Sequence, residues 1–265
     1  MTKMIKYILI AFILLTAFSC SQKDNKTINW KMTVQESFDL TELYPIILKA
    51  NSLIRQQQLD SLKSQKTGNS LLDELQEADS INNNSIENYP LFQILYPNIQ
   101  TDDNGQSYIG STSIIGMTQD TVKLKKYLDD VDSIFPTNLD WKVSGNLHDN
   151  IKCLHALKNN KAALTLTIDD IDSIFVTPTG IKGVLGLSDK IEGNAWVDIK
   201  LKTELKQTLD ENTYSLIMKA NNHEYSGSIV NFDNDPNQII TIGEMDKNDF
   251  GDLENRFKNK MKIRK

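Results

Sequence analysis

Cys20 divides this chain into two chemically different parts. Lys3 and Lys6 precede an apolar run from Tyr7 to Phe18, and Ala17-Phe18-Ser19 leads into the cysteine. Ser21-Gln22-Lys23-Asp24-Asn25 then turns polar at once. A basic start, an apolar middle and small residues at a junction describe a secretory signal peptide over 1–19. As a helix the apolar run reaches about 18 Å, well short of the roughly 30 Å of a bilayer core. It is too short to span, so the fold has to be built from the residues after Cys20.

The junction resembles a bacterial lipobox, which implies cleavage before Cys20 and acylation of that cysteine, with palmitate-type chains as the anchor. Residues 20–28 then read as the lipidated cysteine and a polar tether. With Cys20 acylated, Cys153 is the one thiol left, no internal disulfide can form, and the core alone must hold the fold. About 245 residues remain, enough for one large domain or two small ones. Cys153 lies in Ile151-Lys152-Cys153-Leu154, the setting of a buried strand thiol. Loss of Lys3 and Lys6 moves the net charge from −6 to −8. That acidity excludes nucleic acid as the expected partner and leaves membrane attachment to lipid. No later stretch approaches the length of a membrane span.

Periodicity gives the elements. Asn29 to Ser37 alternates as a strand through Trp30, Met32 and Val34. Leu43, Ile46, Ile47, Ala50, Leu53 and Ile54 keep helical spacing over 41–66, with Pro45 near the start. A second helical stretch covers 70–78, and Asn82-Asn83-Asn84-Ser85 reads as a loop. Thr118 to Phe135 predicts a helix with Val122, Leu124, Leu128, Val131 and Phe135 as its apolar positions. Strands follow at 139–144 and 151–157, and Ala195, Val197, Ile199 and Leu201 share one face of a strand over 194–202. Thr203 is placed to cap a short helix to Asn212, and a hairpin turns at Asn221-Asn222. A strand over 238–242 and a final helix capped by Asp246 complete the series. The expected class is α+β, with small mixed or antiparallel sheets and helices packed on one face. The echo of Asp129–Phe135 in Asp169–Phe175 has unmatched flanks and is not a repeat.

Chemistry-bearing patterns are sparse. Asp233, Asp235, Asn237 and Glu244 have calcium-loop spacing. Gln238 stands where that loop needs glycine, and the flanks read as strands, so an acidic turn is the expectation and no metal site. His148, Asp149 and His155 lack paired ligand spacing, and His223 falls at a hairpin tip. Trp30, Trp141 and Trp196 fall in expected strands, where packing outweighs a ligand platform. No Gly-x-Ser-x-Gly elbow, Ser-x-x-Lys pair or glycine-rich phosphate loop occurs, so the chain reads as non-enzymatic and without cofactor.

Several segments resemble, in order, the first periplasmic domain of SecD, the protein-export subunit, in its Bacteroidota-type SecDF form. They are Trp30–Phe38 with Glu42-Leu43-Tyr44-Pro45 and Ala50-Asn51, then Pro90–Asn98, then Gly116-Met117 and Asp120-Thr121. Tyr127-Leu128, Phe135–Leu139, Ala156–Lys158, Ala162–Leu164 and Asp170-Ile171 continue the series, and 194–257 corresponds to the family's head portion. The resemblance implies a base region over 29–150 and a head subdomain over 151–265. It implies an envelope protein that binds exported polypeptide or a translocon component, through an edge strand at Tyr225, Ser226, Gly227, Ser228 and Ile229. The family's membrane helices have no counterpart here, so gradient-driven translocation does not carry over. Ser226-Gly227-Ser228 and Ile242–Met245 also depart from the family pattern. Ser21–Asn25 resembles a surface-export signal, leaving two addresses open on the outer membrane: the periplasmic side, or the surface as a structural or adhesion module.

Overall fold

The computed structural model describes residues 30–64, 89–147, 151–178 and 195–264. The signal peptide, Cys20, the tether, the stretch 70–78, the Asn82–Ser85 loop, His148 and Asp149 lie outside the described residues. The fold is mixed, with several small, mostly antiparallel sheets and a few helices, and so belongs to the α+β class.

The chain opens with β1 (Lys31–Glu36) and α1 (Leu40–Ser64). Asp39 starts α1: its carboxylate accepts the Glu42 N–H at 2.8 Å, while Glu42 accepts the Asp39 N–H at 3.1 Å, a reciprocal cap. Leu43, Ile47, Ala50 and Ile54 are the buried stripe of this helix. Short strands β2 (Tyr96–Pro97), β3 (Gln100–Thr101) and β4 (Ser107–Tyr108) precede β5 (Ile114–Thr118). The helix expected from Thr118 is shorter, because β5 runs through Thr118 and Asp120 caps α2 (Thr121–Asp130) by accepting the Lys123 N–H at 2.9 Å. The hairpin strands β6 (Leu139–Leu147) and β7 (Ile151–Lys158) follow, then β8 (Leu164–Leu166) and β9 (Ile171–Pro178).

After β10 (Ala195–Leu201), Thr203–Gln207 forms only a 3-10 turn, and Thr203 caps nothing. The strands β11 (Thr213–Ala220) and β12 (His223–Val230) turn at Asn221-Asn222 as expected, with Asn221 at φ +50°. Next come β13 (Ile239–Met245), α3 (Lys247–Phe257), with Asp246 accepting the Asn248 N–H, and β14 (Met261–Ile263).

Among the described residues twelve strands form three four-stranded sheets, and β3 and β4 pair with each other as a two-stranded ribbon. The first runs β12-β11-β1-β8, the second β13-β10-β9-β14 and the third β2-β5-β7-β6. All pairings in them are antiparallel except β14 on β9. One apolar core lies between the first two sheets and takes in α3; Ala195, Val197, Ile199 and Leu201 are each 0% exposed within it. Phe250, Leu253 and Phe257 hold α3 there, each buried side chain stabilising by about 1.5–3 kcal/mol. A second core is made by α1, α2 and residues 91–95 against one face of the third sheet.

Two expectations are corrected. The helices do not share one face, since α3 serves the first core and α1 and α2 the second. The boundary at 150 cuts across the sheets: β7 pairs with β5 and β6, while β1 pairs with β11. Ser37 stitches the two halves together, giving its N–H to Thr213 and bridging to Leu157.

Candidate functional site

The residues with the richest chemistry meet where the first and third sheets face one another. His155 on β7 is 0% exposed. Its Nδ1 lies 2.9 Å from Ser215 Oγ and its Nε2 2.8 Å from Ser226 Oγ. Ser215 Oγ is also 2.8 Å from Ser37 Oγ, and the Ser113 N–H donates to Ser228 Oγ at 2.8 Å. Gly145, at φ +84°, makes room: a Cβ there would lie 2.8 Å from Ser226 Oγ. Burial pushes His155 down to about 3 and the Cys153 thiol up to about 11. A neutral imidazole and a protonated thiol, both sealed from solvent, supply neither an accessible base nor a nucleophile. The network joins two sheets.

A second polar cluster fastens the β11–β12 turn to α3. Asp249 is 1% exposed and accepts from Asn221 Nδ2 at 2.7 Å, His223 Nδ1 at 2.7 Å and the Tyr225 hydroxyl at 2.9 Å. Tyr225 in turn accepts the Asp246 N–H at 3.1 Å, and burial raises its phenol above the usual range. Every member is committed to this latch.

The residues singled out from spacing are not brought together. Asp235 is exposed and accepts the Asn237 N–H at 3.1 Å within its own turn. Glu244 sits on β13, about 17 Å along the strand from Ile239, so it cannot close a loop with Asp233, Asp235 and Asn237. Among the described residues no group of three His, Cys, Asp or Glu side chains is arranged to hold a metal ion.

Tyr225–Ile229 is likewise corrected as an accessible edge. It lies on β12, the last strand of its sheet, but Tyr225, Ser226, Gly227 and Ile229 are buried and only Ser228 is partly exposed. A Cβ at Gly227 would lie 2.5 Å from Ile240 Cγ2 and 2.7 Å from the Thr241 carbonyl, so β13 covers this strand. At its end the Gln238 amide takes both the N–H and the C=O of Val230.

An open concave surface lies elsewhere. Thr121, Leu124, Lys125 and Leu128 follow one face of α2 at helical spacing, and Trp141 and Val143 alternate on β6 opposite them. Together they line a groove of about 380 Å³. Val122, expected among the apolar positions of the helix, stands on the rim of this groove, 81% exposed. Leu124, Leu128, Val131 and Phe135 keep steps of four, three and four, and Val122 is out of phase with them. That phase was the one sequence signal for the groove. Trp141 is braced edge-on by Phe135 at 5.0 Å. Among the described residues β6 is the last strand of its sheet and pairs only with β7. Its first half is partly exposed, while Ser144 and Gly145 are buried toward β12. An extended chain laid along that half would meet backbone groups on one side and apolar sockets on the other.

Comparison with protein-family models, curated proteins and solved structures finds no match for this chain. No described helix is long and apolar enough to cross a membrane.

Proposed function

We propose that this chain is a non-catalytic envelope lipoprotein, anchored through Cys20, that binds extended polypeptide or a component of the export machinery. The observation that carries the reading is the groove between α2 and the edge of β6 that no described strand pairs, apolar in most of its lining and open along a strand. Backbone pairing supplies affinity to such a site, and sockets at alternate positions supply selectivity. The ordered resemblance to the SecD periplasmic domain supports the same partner class, and the lipid would hold the domain beside the membrane. The binding edge is β6 in this reading, since β12 is covered.

A photo-crosslinking residue at Val122 tests it in cells. Adducts with exported chains or translocon subunits are expected from Val122 and not from Ile168, which is exposed but does not line the groove. Equal labelling from both positions, or none from Val122, refutes the groove as the binding surface.

A further inference from the structure

We propose, resting on the groove reading above, that the site between α2 and β6 selects an apolar–any–apolar tripeptide in an extended chain, with Trp141 and Val143 as the residues that set this specificity. One coincidence carries this. The two β6 residues whose side chains line the groove are also those whose peptide groups face the open edge.

The backbone fixes the register. The Asn159 N–H donates to the Asn138 carbonyl at 2.8 Å, one step before the pairs Leu139↔Lys158, Asp140↔Leu157, Trp141↔Ala156, Lys142↔His155 and Val143↔Leu154. Hydrogen-bonded pairs alternate along an antiparallel ladder, so Asp140 and Lys142 turn their peptide groups to β7. Trp141 and Val143 turn theirs outward, where no described strand takes them. The Ala156 carbonyl agrees: it accepts the Phe38 N–H at 2.9 Å on the far side of β7 instead of facing Trp141. The side chains of Trp141 and Val143 lie on the α2 face, since their cross-strand partners Ala156 and Leu154 are buried in the second core and both pack against it. A strand added to β6 therefore bonds through the residues opposite Trp141 and Val143, and those residues turn their side chains into the groove. The two inward positions lie about 7 Å apart along the strand, and the residue between them faces the other side of the sheet, beside Lys142.

Charge complementarity then makes both inward residues apolar. Lys125 and Asp129 are the charged residues of the lining, and they pair with each other at 3.2 Å. The groove is thus balanced in charge, and a charged side chain carried into it would shed water without a counter-charge of its own. The central residue is free in kind, because Lys142 beside it is paired with Glu224 at 2.8 Å and the two present both signs. A small apolar molecule would fill the groove and leave the peptide groups of Trp141 and Val143 to water. Polypeptide answers both, which is why it is the favoured occupant.

The test measures fluorescence polarisation of labelled seven-residue peptides with the full mature chain at physiological salt. The reference peptide has leucine at its third and fifth positions, threonine at the fourth, and serine or glycine elsewhere. It is expected to bind. Serine in place of both leucines is expected to abolish binding, while glutamate or lysine at the fourth position leaves it in place. N-methylation of either leucine, whose N–H faces β6, is expected to weaken binding by about tenfold; N-methylation of the fourth residue, whose N–H faces away, is expected to spare it. Val143→Pro deletes one outward N–H and is expected to weaken binding by up to about tenfold, and the N-methylated peptides decide the same point should that variant fold poorly. Equal binding of the leucine and serine peptides overturns this specificity, as does equal loss from all N-methyl positions or loss of binding with either charge at the fourth. With Val122 adducts still formed in cells, those results leave the groove reading standing. Absence of binding by the leucine peptide overturns the specificity, and together with absence of Val122 adducts it overturns the groove reading as well.

Discussion

Acidification should loosen this protein through one residue, His155. In the folded chain burial among Ser37, Ser113, Ser215 and Ser226 holds its imidazole neutral down to about pH 3, against an ordinary value of 6.5. The unfolded chain binds a proton there as pH falls through 6.5, and the folded chain does not. Between those values the unfolded state therefore carries more protons, and stability falls as pH falls. Integrated from pH 7 to pH 5, one such group costs about 2 kcal/mol, a large share of the stability of an ordinary domain. The window stops at pH 5 to keep most carboxylates ionised. Urea unfolding followed by tryptophan fluorescence measures the loss directly, and His155→Gln supplies the comparison. That variant keeps a donor and an acceptor but cannot titrate, so its stability should change by about 2 kcal/mol less over the same interval. Identical pH slopes in the two proteins would sink the argument, because exposed His223 is common to both.

Three further outcomes are expected. Gly145→Ala should lower stability by about 1–3 kcal/mol, since φ +84° disfavours a side chain and the new Cβ meets Ser226, readable in the same urea titration. Cys20→Ser should abolish incorporation of labelled palmitate and release the protein from detergent-phase partitioning; retained label would remove the anchor from the proposal. Calcium and chelator should leave the melting temperature unchanged, because Glu244 is held on β13 away from Asp233 and Asp235; a rise with calcium would contradict that placement.

Much of the local structure was legible in the sequence, because it depends on neighbours a few residues apart. Ala195 to Leu201 alternates and is a strand, Asn221-Asn222 turns a hairpin, and Asp246 caps a helix. Lys202 in place of Thr203 at the next turn shows how far such reading reaches, since capping depends on backbone angles as well as residue type. What escaped was set by partners distant in sequence. Nothing near Gly227 announces that Ile240 and Thr241 press on it, so β12 read as open. His155 acquires its meaning from Ser215 and Ser226, which arrive on two other strands. The groove was hidden for the same reason, since α2 and β6 each contribute half of it.

The place of β1 has a mechanical consequence. The chain enters the described fold at Trp30 and runs straight into a strand flanked by β11 over Lys31–Glu36 and by β8 over Met32–Val34. Under the proposed Cys20 anchor, a pull applied at that end along β1 would act across hydrogen bonds that lie perpendicular to it. All of those bonds are loaded together in shear, rather than peeled one at a time from a sheet margin. Ser37, bonded to Thr213 and bridged to Leu157, spreads the same load into the third sheet. Under the proposed Cys20 anchor, a pull from the membrane side would thus be borne by a strand that is flanked on both sides.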